Sequence, residues 1–267
     1  MGRITYADKV ALNSNAGIPA QNKVNDVDMN NVKNAINQLG AYLSATVQTG
    51  QPGKCYITAP GTLASGDTFN VILPTAVNPS ANAQFSVDGG TTYYPISRPA
   101  DAVQLIVSDI AGKRVTLFFT GTAFLVLSGT NLKGKSIVIR KNTIQAIASQ
   151  TQTKLTFQTV DPGYDPNVFA LSNNDIVIKS KLVKSVACTV CYQITSSLNT
   201  VTYLFKNNSQ LAALGRAAAD SGTMPGIVDN LALNDTINFR MWLVNAGSVS
   251  AAADWNYAIV TVLDTYE

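Results

Sequence analysis

From residue 49 to the C-terminus the sequence is a succession of short runs in which apolar and polar residues alternate, each closed by a turn signal. A period of two sends one side chain into a core and the next out of it, which is the geometry of a half-buried strand. In the first block the runs fall at 54–58, 68–73, 83–87, 93–96, 105–108, 114–120 and 123–127. Ala64-Ser65-Gly66-Asp67, Asn78-Pro79-Ser80, Asp88-Gly89-Gly90 and Ala111-Gly112-Lys113 separate them, supplying the residues that tight reversals need. Strands this short and this frequent predict a small β-sandwich or barrel over 49–128. The polar stretch 129–134 predicts a linker. A second block, 135–267, alternates at 136–140, 143–148, 154–159, 168–171, 175–178, 182–195, 200–206, 236–246 and 255–263, and predicts a jelly-roll sandwich. The last of these runs is largely apolar on both faces, with Trp255, Tyr257, Ile259, Thr261 and Leu263 against Asn256, Ala258, Val260 and Val262. It predicts a central strand that covers a core on one side and meets a neighbouring subunit on the other.

Upstream the period changes. Met29, Val32, Ile36, Leu39 and Leu43 recur at alternating spacings of three and four residues, the a/d seam of a coiled coil. Asn25 and Asp28 stand where a helix start wants a capping oxygen and negative charge. The spacing predicts a helix over 25–48 that Gly40 weakens and that is marginal alone in water, so copies from several chains would meet along the seam as an oligomer axis. An amphipathic helix packed on its own chain fits the same spacing. Residues 1–24 hold too little apolar surface for a core of their own; they read either as a disordered tail or as an arm that folds against a larger assembly. The opening MGRITYADKVAL has no apolar run and no stretch of the chain is long and apolar enough to span a bilayer, so neither an ordinary export signal nor membrane insertion is expected.

What the chain lacks narrows its chemistry. There is no His in 267 residues, which removes the commonest general base and the commonest neutral metal ligand. Glu267 is the only Glu, leaving Asp161 with Asp165 and Asp229 with Asp235 as close carboxylate pairs in the second block. Glycoside cleavage needs two carboxylates at a set separation, and nothing marks these pairs for it, so an enzyme is not expected and no cofactor is implied. The net charge of +3 comes without a clustered basic face, which argues against a nucleic-acid partner. Only 13% of residues are charged, about half the usual ~25%; Asn, Thr, Ser, Gln and Ala fill the surface instead, which suits a long-lived extracellular or particle-bound protein. Cys188 and Cys191 lie three apart in an expected strand, hence on opposite faces; they read as an inert buried pair, with a disulfide or metal site as the other possibility.

Candidate ligand positions concentrate in loops of the second block. Asp161-Pro162-Gly163-Tyr164-Asp165-Pro166-Asn167 offers carboxylate and amide oxygens that suit calcium or sugar hydroxyls, or is simply a turn stiffened by two prolines. Asn207 and Asn208, and the connection 217–229, read as tip loops. Trp242 and Trp255 read as core or interface residues in strands.

The first block follows a particular order: Ser65-Gly66-Asp67-Thr68-Phe69, Asn78-Pro79-Ser80-Ala81-Asn82-Ala83, Ser86-Val87-Asp88-Gly89-Gly90, Tyr94-Pro95-Ile96-Ser97, Gly112-Lys113-Arg114-Val115-Thr116-Leu117 and Thr120-Gly121-Thr122-Ala123-Phe124-Leu125-Val126-Leu127. This order resembles the small β-modules of bacteriophage tail fibres and related appendages. The segments GRITYADKVAL and NKVNDVDMNNVKNAIN resemble the N-terminal attachment regions of phage fibre and baseplate proteins. In the second block, Thr153-Lys154-Leu155-Thr156-Phe157, Asp161-Pro162, the long run 182–195 and the last run resemble the trimeric jelly-roll heads of the tumour necrosis factor and complement globular-head type. The resemblances imply a homotrimeric virion protein, made in the host cytoplasm and released with the particle. Its arm (1–24) would bind another virion protein and its head (135–267) a bacterial surface glycan. A head-decoration or structural fibre without receptor binding is the alternative. The fold class expected is mainly β: a short N-terminal coiled-coil helix, a small β-sandwich module and a C-terminal jelly-roll β-sandwich, assembled as a homotrimer.

Overall fold

The computed structural model describes residues 42–58, 63–75, 78–195, 199–217, 221–252 and 254–266. Of the expected oligomer-axis positions, Met29, Val32, Ile36 and Leu39 lie outside the described residues. Leu43 does not sit on a helix. It begins β1 (Leu43–Ser44), which Ala45 alone separates from β2 (Thr46–Val47), so the expected helix does not extend through 43–47. The reason is the company this segment keeps. β1 pairs in parallel with β4 (Thr68–Ile72), β2 pairs antiparallel with β3 (Lys54–Tyr56), and the Ala45 amide donates to the Ile72 carbonyl at 2.9 Å. Leu43 packs on the core beneath. Sheet pairing on both sides gives this segment backbone hydrogen-bond partners in place of the helical ones.

With β5 (Gln84–Ser86), β6 (Tyr94–Ser97), β7 (Arg114–Phe119) and β8 (Phe124–Ser128), the sheet order is β1-β4-β7-β8-β6-β5-β3-β2. Its two ends are one extended segment, 43–47, so the sheet closes on itself as a small barrel and leaves no long free edge. Val71, Phe85, Ile96, Leu105, Val115, Leu117 and Phe124 fill it, all without solvent exposure. Edge-to-face rings at its centre, Phe85 on Phe124 with centroids 5.2 Å apart and Tyr94 on Phe119 at 4.8 Å, add to that burial. The run 105–108 is not the expected strand. Gln104 and Ile106 make single bridges, and Val107–Ile110 then forms one helical turn whose Asp109 carboxylate accepts from the Ile106 amide at 3.0 Å.

The head begins at β9 (Ser136–Arg140) and continues through β10 (Gln145–Ile147), β11 (Thr153–Lys154), β12 (Thr159–Val160), β13 (Phe169–Ser172), β14 (Asp175–Ile178), β15 (Val183–Thr195), β16 (Thr200–Lys206), β17 (Ser209–Ala217), β18 (Ser221–Val228), β19 (Thr236–Leu243), β20 (Gly247–Val249) and β21 (Tyr257–Thr265). Its eight principal strands form two antiparallel sheets, β18-β15-β21-β9 and β14-β19-β16-β17. Counted in chain order these are strands 6-3-8-1 facing 2-7-4-5, the alternation between sheets that defines a jelly roll. Ile137, Ile139, Val186, Cys188, Val190 and Val260 from the first sheet meet Ile176, Leu204, Ile237, Phe239 and Met241 from the second.

The stretch 217–229, expected as a tip loop, is mostly β18, paired with β15 from Val186↔Val228 to Gln193↔Ser221. Its glycines are what the packing demands. A Cβ on Gly222 would lie 2.7 Å from the Tyr192 hydroxyl, and one on Gly226 2.5 Å from Leu214 Cδ2. The segment 129–134, expected as a polar linker, is packed as well, with Thr130 and Leu132 buried.

Barrel and head meet at Ser180-Lys181. Asp109 Oδ1 accepts from Ser180 Oγ at 2.6 Å and from the Lys181 amide at 3.1 Å, and Lys181 Nζ donates to the Gln104 carbonyl at 2.7 Å. Arg98, paired with Asp101, donates to the Lys181 carbonyl and stacks 3.7 Å over the Tyr266 ring. Among the described residues no helix is long and apolar enough to cross a membrane.

Candidate functional site

The proline-flanked loop is committed to holding the head together. Asp161 receives two hydrogen bonds from Arg140, Nε to Oδ1 at 2.6 Å and Nη2 to Oδ2 at 2.7 Å. The guanidinium holds the Asp161 carboxyl below the usual carboxylate range. Asp165 Oδ1 accepts from the Asn167 amide at 3.0 Å, its carbonyl accepts from the amides of Val168 and Phe169, and Oδ2 lies 3.9 Å from Lys135 Nζ. Tyr164 packs on the core. Among the described residues no group of three or more His, Cys, Asp or Glu side chains is placed to hold a metal ion.

Asn207 and Asn208 form the two-residue turn between β16 and β17, with φ of 50° and 63°, the left-handed pair that a tight hairpin requires and that Asn tolerates. They do different work. Asn207, though exposed, bonds to the start of β19: its Nδ2 donates to Asp235 Oδ1 at 2.7 Å and its Oδ1 accepts from the Thr236 amide at 2.8 Å. Burial pushes the Asp235 carboxyl up, yet the bonds from Asn207, Lys206 and the Ala232 amide outweigh it and leave the group below its ordinary value. Asn208 instead meets β19, where Arg240 Nη2 donates to its Oδ1 at 3.1 Å. Asp161 and Asn208 are therefore not brought into one site. Nor are the cysteines a centre. Cys55, Cys188 and Cys191 are free thiols, and burial pushes Cys188 up to about 12, which leaves it protonated and inert.

The extended surface of the head that departs from a polar character is the outward face of β18-β15-β21-β9. Register places three rows across it: Ile227, Ala187, Thr261, Ser136; then Pro225, Thr189, Ile259, Val138; then Thr223, Cys191, Tyr257, Arg140. Among these twelve residues Arg140, at one corner and paired with Asp161, is the single charge. Leu263 continues the face at 48% exposure, and Ile227 is 57% exposed. Trp255, expected in a strand, sits in the turn before β21 at 66% exposure. Exposed apolar side chains set among neutral ones on a face with so little charge mark a place where something else can pack. The sequence signalled β21's contribution through its double-sided run. The contribution of β18 it hid, because Pro225 with Gly222 and Gly226 reads as loop.

No protein-family model matches the sequence, and no curated protein sequence matches it. Solved structures give distant likenesses. The Eiger TNF of S. frugiperda aligns with a TM-score of 0.37 at 10% identity, covering 49% of this chain and 93% of that one. Murine APRIL aligns at 0.36 and 13% identity over 48% of this chain and 100% of its own. The CBM35 of Cellvibrio japonicus Abf62 aligns at 0.25 and 14% identity over 49% and 95%. Scores at this level carry no weight for function, and the jelly-roll assignment rests on the strand order within the two sheets.

Proposed function

We propose that this chain is a homotrimeric bacteriophage virion appendage, a fibre or receptor-binding protein whose jelly-roll head adheres to a polymer on the bacterial surface. The observation that carries it is the nearly uncharged outer face of β18-β15-β21-β9 on a chain otherwise coated in neutral polar groups. Packed against its own copies, that face would place three heads around one axis and convert weak single contacts into useful avidity. The resemblance of the barrel's ordered turns to phage fibre modules supplies the particle, with residues 1–24 as the arm that binds another virion protein. The role is binding and not catalysis: the only close carboxylate pair in the loop, Asp161 with Asp165, is spent on Arg140 and on turn amides.

Light scattering on the intact chain tests the assembly. Three copies per particle are expected, and Ile259→Asp combined with Ile227→Asp should give folded monomers; a monomeric wild type overturns the trimer. Adsorption competition tests the role. Purified protein added to host cells before the phage should leave free phage in solution in a dose-dependent way. A folded trimer that blocks nothing favours the rival reading, a decoration or structural fibre.

A further inference from the structure

The other sheet presents a different surface. Ile237, Phe239, Met241 and Leu243 of β19 face the core, so Asn238, Arg240 and Trp242 face outward, opposite Phe205, Tyr203 and Val201 of β16 in register. The Arg240 guanidinium lies 4.1 Å above the Phe205 ring and donates only to Asn208. Among the described residues no carboxylate lies within ion-pair distance of it, whereas Arg98 is paired with Asp101 and Arg140 with Asp161. Two buried polar atoms on this same face, Arg240 Nε and Asn238 Oδ1, have no hydrogen-bond partner in the chain. Asn238 is 1% exposed and its Nδ2 is already used on Asp175, at 2.9 Å. The remaining unpartnered atoms, the hydroxyls of Tyr192, Thr200 and Thr202, lie between the two sheets on the core-facing side.

We infer that this outward face, centred on Arg240, is the subsite for an anionic glycan, a polysaccharide bearing carboxylate or phosphodiester groups; the inference rests on the adhesion reading above and names its ligand class. An uncompensated guanidinium fixed over an aromatic ring is the arrangement that selects a carboxylate or phosphate, through forked charge-assisted hydrogen bonds. Asn208 supplies a neutral acceptor that an anion's oxygens can displace. Tyr203 and Trp242, both half-buried beside Arg240, offer ring faces to the C–H side of a sugar. A buried donor and acceptor left unanswered cost free energy, and their place beneath Arg240 marks this face as one that its own chain does not complete. This face lies on the opposite side of the sandwich from the apolar one. Trimer assembly and ligand binding therefore use separate surfaces, and one trimer presents three such subsites.

The test uses the full chain and three immobilised polymers: polygalacturonate, poly(glycerol phosphate) and neutral dextran. Binding to at least one anionic polymer and none to dextran is expected, and the responding arm tells carboxylate from phosphate. Arg240→Met, which keeps the packing on Phe205, should weaken binding about tenfold or more, and Arg240→Lys should recover part of it. Asn208→Asp removes no contact but places a carboxylate against the guanidinium, and should weaken binding likewise even where Arg240→Met fails to fold. Binding to neither anionic polymer by folded wild type, or equal binding by Arg240→Met and Asn208→Asp, overturns the subsite. Phage-adsorption blocking that survives both substitutions also overturns it, yet leaves the adhesion reading intact. Arg240-dependent polymer binding without any blocking leaves the subsite standing and overturns adhesion.

Discussion

Lys141 is the residue whose environment departs furthest from its type. In the sequence Arg140-Lys141 reads as a basic surface pair, and Arg140 does reach the surface to hold Asp161. Lys141, 1% exposed, turns inward instead and donates to Thr156 Oγ1 at 2.8 Å, to Gln145 Oε1 at 3.1 Å and to the Thr156 carbonyl at 3.2 Å. All three acceptors are neutral, so burial pushes the Lys141 ammonium down to about 8. Its unfolded value is near ~10.4; the folded chain therefore binds fewer protons between those limits, and Lys141's contribution to stability rises with pH from about 8 to about 10 and is most unfavourable below 8. Cys55 and Cys188, pushed up to about 12 by burial, act in the reverse sense in an overlapping window: unfolded thiols ionise near ~8.5 while the folded ones stay protonated, so their contribution falls as pH rises. A pH scan of the wild type mixes the two; a difference separates them. Lys141→Met leaves Thr156 and Gln145 bonded to each other at 2.9 and 3.0 Å. At pH 7 it should be more stable than wild type by an amount on the order of 2 kcal/mol, and denaturant titrations should show that gap closing as pH approaches 10. A gap that stays constant with pH would mean that the buried charge is not its source.

At the scale of elements, legibility followed side-chain pattern. Strands built from alternating branched and aromatic residues, such as β7, β15, β19 and β21, are plain in the sequence because their inner faces are apolar at every second position. β17 and β18 are not. Ser209–Ala217 reads SQLAALGRA and Ser221–Val228 reads SGTMPGIV; both are rich in Ala, Gly and Ser, the second holds a Pro, and neither alternates cleanly between apolar and polar residues. They are strands because Tyr192, Met224 and Leu214 fill the volume their glycines vacate, and a single sequence does not display that complementarity between distant residues. The segment 43–47 misled for a related reason: Leu43 continues a three-four spacing, but pairing with β3 and β4, further along the chain, decides its conformation. The linker start offers a sharp test of how such local geometry holds an element. Gly129 follows β8 with φ +99°, and a Cβ there would lie 1.9 Å from the Arg114 carbonyl oxygen at the start of β7. Neither the dihedral nor a backbone oxygen can yield cheaply. Gly129→Ala should lower the stability of the intact chain by about 3 kcal/mol or more, read as a downward shift of its calorimetric transition; a loss under about 1 kcal/mol would show that the β7–β8 ladder slips freely there.

For the molecule as a whole the question is whether barrel and head behave as one body. Domains joined by a modest polar interface move relative to one another by default, and the two-block layout in the sequence suggests no more than a tether. The contact is more specific than that. Asp109, from the barrel's only helical turn among the described residues, accepts from Ile106 of its own domain and from Ser180 and Lys181 of the other, a pairing across 71 positions of sequence. Burial raises the Asp109 carboxyl, and its three donors only partly offset this, so the group is held at a site that costs free energy unless both domains stay in place. Arg98 grips the same segment through the Lys181 carbonyl and Tyr266, which ties the barrel to the last strand of the head as well. Coupling of this kind predicts a single cooperative transition for the intact chain and two for Asp109→Ala, because removing the carboxylate orphans donors on both sides of the junction at roughly 1–3 kcal/mol each. Differential scanning calorimetry distinguishes the cases. Two transitions already in the wild type would make the junction a tether after all, and one unchanged transition in Asp109→Ala would move the coupling to Arg98, where Arg98→Ala should then split it. The result bears on adhesion directly. In the trimer proposed above, heads held rigidly on their barrels would present their Arg240 faces at fixed angles about one axis, and a fixed geometry would let a polymer engage more than one of them with less ordering cost at each step.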